Sequence, residues 1–260
     1  MSEEISPSPP VSEPGIVNEP YEKMSTGATL GNIFFDPGST FEALRHKPRF
    51  LVATIITMLI VVGISAILFT KIDFHEFMKQ QIDKSPRTAQ MSDEQKERIV
   101  EMQSGTIGKT IAIGAPIIVI AVLFAAGAGL YLLGVMAMGG AISYKQALSV
   151  WAYSSVAPAI LSGIVAVIVL LLKSADSIDM AHPESIAQAN LAILAGTGTG
   201  PAIYALMSQL DLFQFYGLFL AALGLRKVAK ISSGSAWTIV LVLFVVKVVC
   251  RVGWAAAFGS

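Results

Sequence analysis

The sequence predicts an all-α protein, a polytopic transmembrane helical bundle with five spans and a short extramembrane helical insert after the first span. Composition is the first observation: 54% of the residues are hydrophobic and only 14% are charged, whereas soluble domains carry about 25% charged residues. The apolar residues also fall into five long runs, and the first three of these runs carry no charge. A polar segment, residues 71–109, separates the first run from the second and is the predicted insert.

The N-terminal residues, 1–28, are predicted to form a disordered cytosolic tail. Pro, Ser and Glu dominate this segment, and such a composition leaves little apolar surface to bury. A short recognition arm for a partner is the alternative. The segment lacks the basic start and the early apolar core of a secretory signal. We therefore expect the first span to remain in the protein and residues 29–260 to form one membrane domain.

A polar strip precedes the first span. A turn signal is followed by a short amphipathic helix and then by a cluster of basic residues, which suits an interfacial helix lying on an anionic leaflet. A plain juxtamembrane anchor that obeys the positive-inside rule is the alternative. The residues assigned to this inner-leaflet interface are Asp36, Pro37, Phe41, Leu44, Arg45, Lys47 and Arg49.

The five spans are predicted from length and apolarity. A helix needs about 20 apolar residues to cross the hydrocarbon core of a bilayer, and each run is long enough. The predicted spans are residues 50–70, 110–138, 150–172, 202–225 and 236–258. Trp151 and Tyr153, near the start of the third span, are predicted to lie in an aromatic belt at the membrane–water interface.

Two segments outside the spans have a predicted structure of their own. Residues 71–109 carry seven basic and seven acidic residues, and Ser92 opens a capping-box pattern, so we expect a small helical hairpin here. Residues 191–201 are too short and too rich in glycine to span a bilayer alone. This pattern predicts a re-entrant or interfacial piece.

Basic residues in short loops predict the orientation. With five spans, the cluster at residues 45–49, Lys145 and the basic loop at residues 226–230 all fall on one side. Residues 173–190, with one lysine against three acids, fall on the other side. The basic residues of the insert oppose this assignment, although acids match them in number. The short loops predict a protein of the cell membrane with a cytoplasmic N-terminus and a C-terminus outside.

The last two spans contain ionisable residues, which are costly inside a membrane and often functional. Asp211 is 15 residues from Arg226 along the fourth span, about 22 Å at the rise of an α-helix. Arg251 is 14 residues from Trp237 along the fifth span, about 21 Å. The matching depths predict an Asp211–Arg251 pair. The predicted intramembrane polar patch consists of Asp211, Gln214, Lys247 and Arg251, and its alternatives are a structural ion pair or a snorkelling Arg251.

Signatures of catalysis and cofactor binding are missing from the sequence. There is no HExxH, no GxSxG and no Cys/His pair, and the stretch GTGTGP lacks the lysine and the strand–helix context of a phosphate loop. The three histidines show no metal-ligand spacing. We predict that the protein is not an enzyme and uses no metal or cofactor. The net charge of zero also gives no footprint for nucleic acid.

Three segments, in this order along the chain, carry a resemblance to a known family. They are NIFFDPGSTFEALRHKP before the first span, SYKQALSVWAYSSVAPAIL at 143–161, and LDLFQFYGLFLAALGLRKVAKISSGSAW at 210–237. Together they resemble prokaryotic members of the YIP (Ypt-interacting protein) domain family. The resemblance covers the chain from about residue 30.

The resemblance implies five transmembrane helices and a cytosolic N-terminus. Eukaryotic members of the family bind Rab-type GTPases and help to shape or sort secretory-pathway membranes. Their hallmark Asp-Leu-Tyr-Gly-Pro motif is absent from this sequence. The resemblance therefore implies a bacterial-type member rather than a Rab partner.

Two functions compete at this point. The first is a non-enzymatic scaffold that organises the membrane or recruits partners, and that contacts the lipid bilayer together with cytosolic or membrane proteins. The second is a small-solute or lipid transporter that uses the polar patch with the glycine-rich segment 191–200. Faces rich in Gly and Ala permit a homo-oligomer without requiring one.

Overall fold

The computed structural model describes residues 24–85, 88–173, 189–196 and 198–258. The described residues form ten α-helices, and a 3₁₀ turn, Leu191–Leu194, precedes the eighth. The helices are α1 (Thr26–Phe35), α2 (Pro37–His46), α3 (Leu51–Lys71), α4 (Phe74–Lys84), α5 (Asp93–Ser104), α6 (Thr106–Ala137), α7 (Tyr144–Leu172), α8 (Pro201–Gln209), α9 (Leu212–Ala229) and α10 (Ser233–Phe258).

Five of these helices, α3, α6, α7, α9 and α10, are long and apolar enough to cross a membrane. The predicted all-α bundle with five spans is confirmed. Helix α6 has 32 residues, about 48 Å at the rise of an α-helix, so it extends beyond the hydrocarbon core. Helix α7 begins before the predicted span, at Tyr144, because Ser143 and Gln146 form a capping box there.

The fourth predicted span, residues 202–225, was wrong as a single helix. The chain breaks at Leu210 and Asp211, and two helices, α8 and α9, replace the one. Asp211 has an extended backbone, and its side chain accepts a hydrogen bond from the Gln214 amide at 3.0 Å. An aspartate in this geometry is a strong N-cap, so it starts a new helix. Helix α8 packs against α10 instead of lengthening α9.

Helix α7 lies at the centre of the bundle and packs against α3, α6 and α9. Tyr153 is fully buried on this helix. The Trp151 ring lies 4.8 Å from the Tyr131 ring, centroid to centroid, and covers Gly127 of α6. Tyr153 therefore faces the protein rather than lipid, and Trp151 is partly buried between helices. The depth of both residues relative to the membrane interface stays a prediction.

The insert after the first span is a pair of packed helices, α4 and α5. Ile82 and Val100 are buried in it, and the Lys96 amine lies 3.5 Å from the Asp83 carboxylate. The capping box predicted at Ser92 is present. The insert joins the ends of α3 and α6, so it lies at the end of the bundle opposite α1 and α2.

The predicted tail and the glycine-rich segment are described only in part. Residues 1–23 lie outside the described residues, and α1 already begins at Thr26 because Ser25 caps it. The last residues of the range assigned to the tail are therefore helical. Within 191–201, the 3₁₀ turn leads to α8, and residue 197 lies outside the described part. The re-entrant or interfacial role of this segment stays a prediction.

The contact between Gly127 and Trp151 gives a test of the bundle. A Cβ added at Gly127 would lie 2.3 Å from the Trp151 ring, and overpacking of this kind costs about 1–3 kcal/mol. We expect Gly127→Ala to lower the thermal unfolding temperature of the detergent-solubilised protein by several degrees. Gly129→Ala is the matched control on the same helix, because a Cβ at Gly129 meets nothing within 4 Å. Equal unfolding temperatures for the two variants would contradict this packing.

Candidate functional site

Helices α1 and α2 form a cap on one end of the bundle, hereafter the cap, which packs against α7 and α9. The sequence places a sharp turn between the two helices. The Asp36 carboxylate accepts a hydrogen bond from the Ser39 amide at 3.1 Å, and Pro37 occupies the first helical position, where its fixed φ favours a helix start. The hydrogen bonds from Ser39 lower the pKa of Asp36 below its ordinary value. Asp36 and Pro37 thus set the direction of α2.

The apolar face of α2 is buried in protein. Phe41 and Leu44 are 0% and 1% exposed, and the Phe41 ring fits against Gly224 of α9 beside Val150 of α7. The predicted helix is present, but its apolar face packs against protein and not against a lipid leaflet, which corrects the assignment of Phe41 and Leu44 to the inner-leaflet interface. Helix α2 is amphipathic, as the pattern predicts. Its apolar face packs into a notch between α7 and α9 of the same chain.

Glu42 connects the cap to the end of α9. Its carboxylate lies 2.9 Å from the Arg45 guanidinium and 3.0 Å from the Lys230 amine. Lys230 ends α9 with a left-handed backbone, at φ 56°. Partial burial raises the pKa of Glu42, but the hydrogen bonds and charges of Arg45 and Lys230 outweigh it and lower the pKa below its ordinary value.

The basic residues predicted on one side do lie together at the cap. The Gln146 side chain at the start of α7 donates a hydrogen bond to the Arg45 carbonyl at 2.8 Å. Arg49 donates to the Thr26 hydroxyl at 3.3 Å. The cap end of the bundle therefore gathers the cations of three separate segments, which are Arg45, Lys47, Arg49, Lys145, Arg226, Lys227 and Lys230.

The predicted polar patch is placed at the opposite end of α9. The Lys247 amine donates to the Gln214 side chain at 2.5 Å and lies 5.9 Å from the centre of the Phe244 ring. Asp211 is near enough to interact electrostatically with Lys247. Asp211 is the N-cap of α9, so the segment from Asp211 to Arg226 is helical. The depth of Asp211 in the membrane stays a prediction. Arg251 is exposed one turn further along α10, and its pairing with Asp211 stays a prediction.

Two features of the cap end were missed by sequence reasoning. Phe35, the last residue of α1, is 89% exposed. The Tyr153 hydroxyl is buried without a hydrogen-bond partner among the described residues. The exposed Phe35 had one signal in the sequence, the two adjacent phenylalanines before the Asp-Pro turn. Neighbouring residues of a helix point in different directions, so one ring faces inwards and the other outwards. No sequence signal marked the buried Tyr153 hydroxyl.

Within residues 24–85, 88–173, 189–196 and 198–258, no three His, Cys, Asp or Glu side chains come together as a metal site would require. Within these residues, Glu42 forms ion pairs with Arg45 and Lys230 in the cap, and Asp83 forms an ion pair with Lys96 in the insert.

Five membrane-length helices with a helical cap define a polytopic α-helical membrane protein. The chain matches the family model of the Yip1 domain over residues 31–255. This match covers most of the chain, and the protein therefore belongs to the Yip1 domain family, as the three quoted segments had indicated. No curated protein and no solved structure matches the chain.

The first test of the site concerns Glu42. An exposed ion pair contributes about 0.2–1 kcal/mol, so Glu42→Gln should raise the hydrogen exchange of the α2 amides a few-fold while leaving the spans unchanged. Because the folded pKa is lowered, the stabilisation is present above the ordinary glutamate value of 4.5. It is lost as the pH falls below that value through the folded pKa.

Hydrogen exchange followed by mass spectrometry at pH 7 and at acid pH checks this expectation, after correction for the intrinsic exchange rate. Glu94→Gln is the control, since Glu94 is exposed on the insert. If the α2 amides exchange equally fast in Glu42→Gln and in the control, the ion pairs of Glu42 do not stabilise the cap.

The second test separates the two roles of Asp211. If Asp211 acts as the N-cap of α9, Asp211→Asn should keep wild-type stability, while Asp211→Ala should lose about 1 kcal/mol. If its charge is what matters, both variants should be destabilised, and neutralising Arg251 as well should restore stability. Thermal unfolding of the three variants distinguishes the outcomes.

Proposed function

We propose that the protein is a non-enzymatic scaffold that organises the membrane or recruits partners, with the cap as its recruiting surface. The observation that carries the proposal is Phe35, a large aromatic residue that is 89% exposed on an otherwise docked element. Aromatic anchors of this kind dominate the binding energy of many protein interfaces.

The attachment of the cap supports this proposal. Phe41 and Leu44 hold one face of α2 in the notch at Gly224, and Glu42 joins the same helix to Lys230. The opposite surface, around Gly31, Phe35 and Asp36, is exposed. A surface that is already ordered loses little conformational entropy when a partner binds. The cap is therefore suited to presenting Phe35 to another protein.

The charge distribution supports an orientation for this surface. The cations gathered at the cap end favour the cytoplasmic side under the positive-inside rule. We therefore propose that the cap faces the cytoplasm of a cell whose plasma membrane holds the protein, and that the C-terminus lies outside. Partners of the cap would be cytosolic proteins or the cytosolic parts of membrane proteins.

A site-specific experiment tests recruitment. A photo-reactive phenylalanine analogue at position 35 should give discrete protein adducts in intact cells. The same analogue at position 102 should not, although Met102 is also exposed, at 69%, because it lies on the insert. A proximity-labelling enzyme fused to the N-terminus provides a second readout. The proteins that form adducts at position 35 should no longer be labelled in Phe35→Ala, but they should still be labelled in Met102→Ala. Identical labelled proteins in both variants would refute the role of Phe35.

A further inference from the structure

We infer that the N-terminal segment, residues 1–23, docks through its glutamates on the cations gathered at the cap end of the bundle. The contact is independent of partner recruitment by Phe35. Two observations support it: the positive charge at the cap end exceeds the negative charge there, and the acidic segment joins the chain beside these cations. An acidic partner that binds the same cations must therefore displace the segment.

The cap end has an excess of positive charge. Among its seven cations lie the carboxylates of Glu42 and Asp36. Glu42 is shared between Arg45 and Lys230, and Asp36 interacts electrostatically with Lys227. The cations that form no ion pair within the part of the chain that the structure describes are Lys47, Arg49, Lys145 and Arg226.

Contacts between helices bring these cations onto one surface. Gln146, the neighbour of Lys145, donates to the Arg45 carbonyl at 2.8 Å. Glu42 joins α2 to Lys230 at the end of α9 at 3.0 Å. The end of α2, the start of α7 and the end of α9 are therefore neighbours, and their positive potentials add. The exposed cations of this surface are Lys47, Lys145, Arg226 and Lys230.

The N-terminal segment has the opposite charge. It contains five glutamates and one lysine, and the whole chain has a net charge of zero, so the remaining residues have a net charge of +4. The insert balances its own seven basic residues with seven acids. No span separates the segment from the cap, so both lie on the same side of the membrane. The acids of the segment are Glu3, Glu4, Glu13, Glu19 and Glu22.

The segment joins the cap beside the cations. It ends one residue before Met24, whose sulfur accepts a hydrogen bond from the Asn32 side chain at 3.8 Å. Two residues further on, the Thr26 hydroxyl accepts from Arg49 at 3.3 Å. An extended chain of 23 residues reaches about 75 Å. The end of a five-helix bundle is about 30 Å across at the usual spacing of helices, so the whole cationic surface is within reach.

Covalent attachment favours the segment over other anions. A single exposed ion pair is weak, but attachment gives the glutamates a millimolar effective concentration, and several pairs act together. An anionic leaflet competes for the same cations. It has access to the perimeter of the bundle, whereas Lys145 lies at the start of α7, the central helix, which contacts the cap. The segment leaves from the cap itself and so has access to this position.

Zero-length cross-linking of the full-length protein in phosphatidylcholine nanodiscs tests the contact. A carbodiimide joins a carboxylate to an amine that touches it, and mass spectrometry of the digest identifies the pair. We expect glutamates of residues 1–23 to be joined to Lys47 and Lys145. The Glu42–Lys230 pair is the positive control, and Lys79, exposed on the insert, is the negative control. Raising the ionic strength from about 0.1 M to about 1 M should reduce the new products several-fold, because salt screens exposed charges.

Lysine acetylation by a soluble reagent gives a second readout, since a covered amine reacts slowly. Replacing the five glutamates by glutamine should raise the acetylation rate of Lys145 a few-fold and leave that of Lys79 unchanged. A matched control keeps the charge of the segment, and it should react like the wild type. Its substitutions are Ser6→Ala and Ser8→Ala. Thermal unfolding of both variants checks that the bundle remains folded.

Three results would overturn the docked segment. Cross-links that disappear when phosphatidylglycerol replaces part of the phosphatidylcholine would show that the leaflet binds the cations instead. Cross-links to Lys79 as abundant as those to Lys145 would indicate random encounters. A wild-type acetylation rate at Lys145 after the glutamates are replaced would show that the segment does not cover this surface.

Discussion

The close approach of helices at small residues is the contact on which the rest of the structure depends. In a membrane, apolar burial gives helices little reason to associate, and van der Waals packing at small residues takes its place. Trp151 fills the space over Gly127, Ile60 lies over Gly163 and Phe41 fits beside Gly224. Each contact joins α7 or α9 to a neighbour. The glycines that permit self-association in the sequence are, at these positions, used within the chain.

The same type of contact makes the cap part of the membrane domain. Phe41 enters the notch at Gly224 from outside the five spans, and the buried Leu44 extends that contact. Polar groups then fix the position of the cap. Glu42 reaches Lys230 at the end of α9, and Arg45 receives a hydrogen bond from Gln146 at the start of α7. Packing attaches the cap to the bundle. The ion pair and the hydrogen bond then fix its position relative to the end of α9 and the start of α7.

The division of the polar residues between the two ends gives the molecule its asymmetry. Cations of three segments gather around the cap, while the insert carries paired charges such as Lys96 and Asp83. Asp211 shows how one residue settles a boundary, since its capping bond to Gln214 ends α8 and starts α9. Gln214 lies in the first turn of α9, just after this boundary, and contacts Lys247 there.

The sequence by itself determined the all-α class, the five spans, the helical insert with its Ser92 cap and the family, because each depends on local composition, length and motif order. It also determined that the basic residues of the short loops share one end, since that follows from counting spans. The tertiary structure alone decided that Phe41 and Leu44 face α9 instead of lipid, and that Tyr153 lies in the core with Trp151 packed against it. An apolar face looks the same in sequence whether lipid or protein covers it, because both are equally apolar partners. The broken fourth span also required the structure. The mostly apolar residues of α8, Pro201–Gln209, continue the hydrophobic pattern towards Asp211, and only the backbone shows that one helix ends and another begins there.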